Sequence, residues 1–227
     1  MRILALDTAT PACSTALLSD RGAITREIET ERGHAEHILA MVDAVLKEGG
    51  VELHGVDALA FGRGPGAFTG VRLAASVAQG LAFGAGLAVV PVSDLGAVAQ
   101  RAFDLDARLQ HVLVCNDARM QEVYWACFDR GATGLAVLTG AEHVSGVASI
   151  ALPQVWQGAV GGAGRGFRLY PQIGVNMNLI GVSDELLPRA AEIARLAWPE
   201  VMAGRTSSAE EAIPVYLRDD VTRTSRN

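Results

Sequence analysis

The chain has 227 residues, half of them hydrophobic and 19% charged, and its 25 acidic against 19 basic side chains give a formal charge of −6. That apolar fraction supports a sizeable core, and the negative charge excludes a protein that grips nucleic acid unaided, since a phosphate backbone rewards clustered Lys and Arg. The three cysteines, Cys13, Cys115 and Cys127, are odd in number, far apart and set in apolar runs, so neither a disulfide framework nor a zinc-ligand spacing is present and buried free thiols are expected.

From the N-terminus, Met1-Arg2-Ile3-Leu4-Ala5-Leu6-Asp7 reaches a carboxylate too early for a secretory segment, and every later apolar run of about 18 residues is broken by Gly, Pro or charge. A cytoplasmic protein with no membrane partner is expected. Ile3–Asp7 reads as a buried strand, Ser14–Asp20 as a second and Ala23–Glu29 as a third, with Asp20-Arg21-Gly22 carrying hairpin-turn chemistry. Apolar spacing predicts a helix over His34–Glu48, stopped by Gly49-Gly50. A strand over Val56–Phe61, a glycine-rich loop Gly62–Gly66 and a helix over Thr69–Gly84 follow. Next come a strand over Leu87–Val92 and a helix from Ser93 to about Phe103. The order βββαβαβα predicts an α/β fold with a mixed sheet covered by helices.

His111–Asn116, Glu122–Phe128 and Leu135–Leu138 open the second half in the same strand-first way, which suggests a degenerate repeat. Past Val144 the pattern weakens to a glycine cluster Gly161–Gly166, a helix over Asp184–Ala197 and a last strand-like run Ile213–Leu217. The polar tail Thr222–Asn227 is expected to be disordered.

Several residues carry two readings. The loop from Gly62 to Gly70 can aim backbone N–H groups at an anion, or can be a tight turn with Thr69 as the helix N-cap; it lacks the lysine of a P-loop and matches a dinucleotide fingerprint poorly. His34 and His37 lie on neighbouring helical turns without the H-E-x-x-H spacing or a third ligand, so exposed histidines are favoured over a metal site. Asp7 and Asp117 each end a strand, where a carboxylate holds hydrated magnesium or merely caps a turn. On Thr69–Gly84, Arg72 is the one charge, and His34–Glu48 has an apolar arc wider than one core contact needs. Those two helices are covered either by this chain's own second half or by another protein.

Four stretches together resemble the TsaB (YeaZ) family: Ile3-Leu4-Ala5-Leu6-Asp7-Thr8-Ala9-Thr10, Gly64-Pro65-Gly66-Ala67-Phe68-Thr69-Gly70-Val71-Arg72, Asp117-Ala118-Arg119-Met120-Gln121-Glu122-Val123-Tyr124-Trp125 and Pro214-Val215-Tyr216-Leu217-Arg218. The resemblance implies an actin-like ATPase, ribonuclease H-like fold of two lobes with βββαβα cores and mixed sheets, the second lobe reduced. The expected lobes are 1–104 and 105–221, with 222–227 as tail. It also implies a non-catalytic partner of TsaD, the enzyme that transfers threonylcarbamoyl to the adenosine beside the anticodon of tRNA, in a complex that TsaE joins. The isolated chain is expected to form a homodimer, and tRNA to be met only through the complex.

TsaD-like enzymes carry an H-x-x-x-H metal pair just after the strand that here is Leu87–Val92, and Ser93-Asp94-Leu95-Gly96-Ala97-Val98 has no histidine. No catalytic residue and no metal ligand is therefore expected. Ala9 and Arg119 stand where active actin-like members keep phosphate-loop glycines. ATP or ADP binding stays open, hydrolysis is not expected and no cofactor is required. The candidate phosphate contacts are Asp7, Thr10, Gly64, Gly66, Asp117 and Arg119. The expected partner surface comprises Ile38, Met41, Val45, Arg72, Ala75, Ser76 and Gln79. The competing readings are an ATP-dependent phosphotransferase of the same fold and a homodimeric scaffold unrelated to tRNA.

Overall fold

Two five-stranded mixed sheets organise the computed structural model, which describes residues 1–218; the expected tail 222–227 lies outside the described residues. The first sheet takes β1 (Arg2–Asp7), β2 (Ala12–Ser19), β3 (Gly22–Glu29), β4 (Ala58–Gly62) and β5 (Ala88–Val92) in the order β3-β2-β1-β4-β5. Its first three strands form an antiparallel meander, and β4 and β5 run parallel to β1. The second sheet holds β6 (His111–Asp117), β7 (Glu122–Arg130), β8 (Ala136–Gly146), β9 (Val160–Ala163) and β10 (Val182–Ser183). Its order from the meander edge is β8-β7-β6-β9-β10, again with two parallel strands beyond the meander. The repeat suggested by the sequence is thus a repeat of topology.

The helices are α1 (His34–Glu48), α2 (Phe68–Ala85), α3 (Asp94–Leu105), α4 (Gly166–Leu169), α5 (Gln172–Asn176) and α6 (Ala190–Met202). The second half is reduced at two places. Where α1 links β3 to β4, the stretch after β8 makes only a one-turn helix over Val147–Ser149 before irregular chain carrying Pro153 and Gly158, both poor helix formers. Where α2 links β4 to β5, the single-turn helices α4 and α5 stand between β9 and β10. No helix among the described residues is long and apolar enough to cross a membrane.

Strand alternation decides which helix goes where, because successive side chains point to opposite faces of a sheet. Leu4 and Leu6 of β1 join Ile38, Val42 and Val45 of α1 and Ala74, Ala75 and Ala78 of α2 in one core. Ile3 and Ala5 point the other way, onto Ala190, Ile193 and Ala197 of α6. In the second sheet Val112, Val114, Ala126 and Phe128 take Leu95, Val98 and Phe103 of α3. The two helices therefore exchange places: α3 follows the first sheet in sequence but covers the second, and α6 follows the second sheet but covers the first. Residue 104 lies at the end of α3, ahead of the first strand of the second sheet.

Three elements differ from expectation. The helix expected from Asp184 begins at Ala190, since Pro188 holds the preceding residue out of the helical region and Arg189 is an extended N-cap; it then runs past Ala197 and through Pro199 to Met202. The strand expected at Leu135–Leu138 extends to Gly146. Ile213–Leu217 joins no sheet. Pro214 has no N–H for a ladder, and Val215 N–H bonds instead to the Arg63 carbonyl at 2.8 Å.

Because each sheet borrows its inner helix from the other half, the protein should unfold as one unit. Ile193→Ala removes a fully buried side chain and is expected to cost about 2–5 kcal/mol. Far-ultraviolet circular dichroism and tryptophan fluorescence should follow one coincident transition in denaturant, and an early-melting half would contradict the exchange.

Candidate functional site

A cavity of about 800 Å³ opens between the lobes, walled by the loop after β1, the start of α2, the β6–β7 turn, α4 and the segment Val215–Arg218. Five arginines line it, Arg72, Arg119, Arg165, Arg168 and Arg218, against one acid, Asp117. Four are ion-paired: Arg165 with Glu29 (2.6 Å), Arg168 with Glu185 (2.9 Å), Arg119 with Asp117 (3.3 Å) and Arg218 with Glu122. Arg72 lies flat on Phe68, 3.3 Å from the ring centre, and its Nε donates to the Tyr216 hydroxyl at 2.8 Å. The segment 213–218 acts as a strap, bound to Arg63 and Arg72 on one side and, through Arg218, to the Ala118 carbonyl (3.2 Å) and Glu122 on the other.

Of the expected phosphate contacts, Thr10, Gly66, Asp117 and Arg119 line this cavity, and Asp7 and Gly64 do not. Asp7 is fully buried. Its Oδ1 accepts from Ala9 N–H at 2.9 Å, while Oδ2 of Asp7 and Oδ1 of Asp94 lack any other partner. One proton shared between the two carboxyls satisfies both orphans. Burial is the main cause that raises Asp7 to about 6; burial and the neighbouring Asp7 charge hold Asp94 well above the usual carboxylate range. The other oxygen of Asp94 accepts from Gly64 N–H. Sequence reasoning missed Asp94, whose only signal was its place beside Ser93, the N-cap of α3.

The glycines of the Gly62–Gly70 loop serve the approach of protein to protein. A Cβ on Gly62 would run into both carboxyls, and one on Gly70 into the Thr8 carbonyl. Ala67 N–H bonds to the Ala9 carbonyl at 2.7 Å and the Thr8 hydroxyl to the Gly70 carbonyl at 2.7 Å. Thr69 is not the N-cap: α2 starts at Phe68 after an extended Ala67, with no side-chain cap bond, and Thr69 sits exposed in the first turn. In the facing β6–β7 turn, Arg119, Met120 and Gln121 all adopt left-handed backbone (φ 62, 55 and 63°), a conformation that costs a residue with a Cβ roughly 1–2 kcal/mol.

His34 is partly buried, with Nε2 2.8 Å from the Thr10 carbonyl, and His37 is partly buried as well, so neither is the fully exposed histidine expected. The three cysteines are buried free thiols, and burial pushes Cys13 to about 11 and Cys127 to about 12, which leaves them unreactive near neutrality.

The expected partner surface divides. Ile38, Val45 and Ala75 are spent on the chain's own core, and Met41 is partly buried with its sulfur 3.9 Å from Cys13 Sγ. A helix period identifies apolar positions without saying which neighbour covers them. Arg72, Ser76 and Gln79 are exposed, together with Leu39 on α1 and Phe83 on α2, the latter 73% exposed.

Two sheets of one topology, joined by exchanged helices round a cleft, define the actin-like, ribonuclease H-like class. A family model described as TsaD, tRNA N6-adenosine threonylcarbamoyltransferase, matches residues 22–213. The chain is 44% identical to the tRNA threonylcarbamoyladenosine biosynthesis protein TsaB of Haemophilus influenzae, over 98% of this chain and 95% of that one. It is 39% identical to the protein of the same name from Escherichia coli, over 97% and 96%. Among solved structures, YeaZ from Pseudomonas aeruginosa superposes with a TM-score of 0.86 at 42% identity, over 95% of this chain and 99% of that one. The chain belongs to the TsaB (YeaZ) family.

A magnesium ion of the kind that actin-like ATPases hold between their phosphate loops does not fit these residues. Asp7 is fully buried behind the first loop and shares a proton with Asp94, and Asp117 is engaged by the backbone N–H and guanidinium of Arg119. A carboxyl whose folded value is raised stabilises the fold at low pH, and that contribution is lost as pH rises through the folded value. For Asp7 the window runs from about 4 to about 6. Asp94→Asn keeps a donor for Asp7 and an acceptor for Gly64 without a second ionisable group. Denaturant melts at pH 5 and pH 8 are expected to show the variant losing less stability than the parent over that interval. An equal loss in both proteins would refute the shared proton.

Proposed function

We propose that this chain is the non-catalytic partner of TsaD in the threonylcarbamoylation of tRNA at the adenosine beside the anticodon, docking TsaD through the outer faces of α1 and α2 in a cytoplasmic complex that TsaE joins. The relatives' names concern threonylcarbamoyladenosine biosynthesis, and the matching family model is that of the transferase. The observation that carries the non-catalytic part is Asp7: the one carboxylate at the first loop faces Asp94 in the interior and not the cleft. The segment after β5 starts α3 with Ser93 and Asp94, where the transferase has its histidine pair. This reading requires no cofactor and no hydrolysis of ATP. It assigns tRNA binding mainly to the complex, as suits a chain of net charge −6.

The docking part rests on the outer face of α2, where Arg72 is the one charged residue among Thr69, Ser76, Gln79, Gly80 and Phe83, next to the exposed Leu39 of α1. Two such helices supply much of the roughly 800 Å² that a standard interface buries on each partner. In isolation the same faces pair with a second copy of the chain.

Wild-type protein mixed with TsaD, TsaE, tRNA and the threonylcarbamoyl adenylate should support formation of the modified nucleoside, and neither part should do so alone. Ser76→Arg is expected to shift the stability of the chain by no more than about 0.5 kcal/mol. It should weaken TsaD binding at least tenfold, since a desolvated, unpaired guanidinium costs well over about 1.4 kcal/mol. Unchanged affinity by calorimetry would move the docking surface elsewhere, and modification by this chain without TsaD would end the non-catalytic reading.

A further inference from the structure

The cleft has a chemistry of its own. It gathers five of the chain's 19 Lys and Arg side chains round one acid in a protein of net charge −6. Glu29, Glu122 and Glu185, which pair with three of them, stand outside its lining. A guanidinium offers five N–H donors, and Arg168 commits one of them among the described residues, to Glu185.

Two buried polar groups of the lining lack partners. Asn116 is 7% exposed, and neither its amide nitrogen nor its oxygen is hydrogen-bonded; the Nε of Arg165 is buried and unpartnered as well. Native proteins seldom leave such groups unmet, and these N–H donors line one cavity with Arg168 and Arg119, a set that matches an oxyanion. Phe68, Tyr216 and Leu169 supply apolar wall, and about 800 Å³ exceeds what an inorganic anion fills.

We propose that the cleft is a metal-independent site for a small phosphorylated molecule, its phosphate held by Arg168, Arg119, Arg165 Nε and Asn116 and its organic part laid against the wall formed by Phe68 and the strap. Arginine forks take the place of the cation, because a carboxylate to hold one is missing from the lining apart from the engaged Asp117. Planar bidentate donors bind phosphate well without a metal.

The test uses the isolated chain, so its outcome is separate from docking to TsaD. ADP, pyrophosphate and adenosine are titrated by calorimetry, each in EDTA and in excess magnesium. ADP and pyrophosphate are expected to bind in EDTA, adenosine far more weakly, and magnesium not to tighten either anion. Arg168→Ala and Asn116→Leu should each weaken ADP roughly tenfold or more, the worth of one hydrogen bond to a charged group. Arg119→Ala, altering a side chain that is 89% exposed, reports on the same site should either variant melt early. Absence of binding by ADP and pyrophosphate, a requirement for magnesium, equal affinity for adenosine, or variants that fold and bind like the parent would each overturn the proposal.

Discussion

The burial of α3 and α6 between two sheets that each need the other's helix is the constraint on which this structure depends. Leu95, Val98 and Phe103 pack on the second sheet, and Ile193 and Ala197 on the first. Neither half can complete its core alone, so the hydrophobic term that folds each sheet also fixes their relative position. Polar contacts then refine that position. Glu142 of β8, its side chain only 5% exposed, reaches across to Arg63 at 2.9 Å and to Ser93, and Arg165 reaches back to Glu29. A buried ion pair adds little net stability but is costly to break by removing one partner, which makes Glu142 a setter of orientation.

A cleft held by these contacts has walls whose chemistry can be specialised. Its first loop packs backbone to backbone on the start of α2, and the glycines that permit this approach are filled by protein. The space a cation would need at Asp7 is taken by the Asp94 carboxyl and the proton the two share. The opposite wall carries side chains in place of open backbone: Arg119 stands on a left-handed residue, fixed by Asp117, and Arg168 and Arg165 project from α4 and its N-cap.

The outer surface follows from the same economy of charge. α2 lies close on its sheet because Ala74, Ala78 and Ala82 face inward, and with small residues inward and Ser76, Gln79 and Gly80 outward, little of it repels another helix. Leu39 and Phe83 add large apolar side chains to that face. The strap from Ile213 to Arg218 closes the neighbouring edge, so the proposed docking face and the cleft are separate surfaces, both bordered by α2 through Arg72.

Local chemistry made much of this legible. Alternation, turn residues and helix stops located β1 to β7 and α1 to α3 within a few residues, since each depends on neighbours in the chain. Four short stretches were enough to point to the family. The expectations that failed depended on residues far apart. A helix seemed to start at Asp184 because Leu186 and Leu187 suit one, yet Pro188 defers it to Ala190. Ile213–Leu217 looks like a strand, yet no edge is available to it and it becomes a strap. Asp7 looked like a cleft carboxylate until Asp94 was seen to cover it, and Ile38 and Val45 looked like docking residues until the first sheet was seen to bury them. By itself the sequence determined strands β1 to β7 and helices α1 to α3, the sign of the charge and the lack of a histidine pair after β5. Only the tertiary structure decided that α3 and α6 trade sheets, that Asp7 meets Asp94 and that five arginines ring one cavity. Those meetings are set by how two sheets pack, and no local periodicity carries information about partners so distant in the chain.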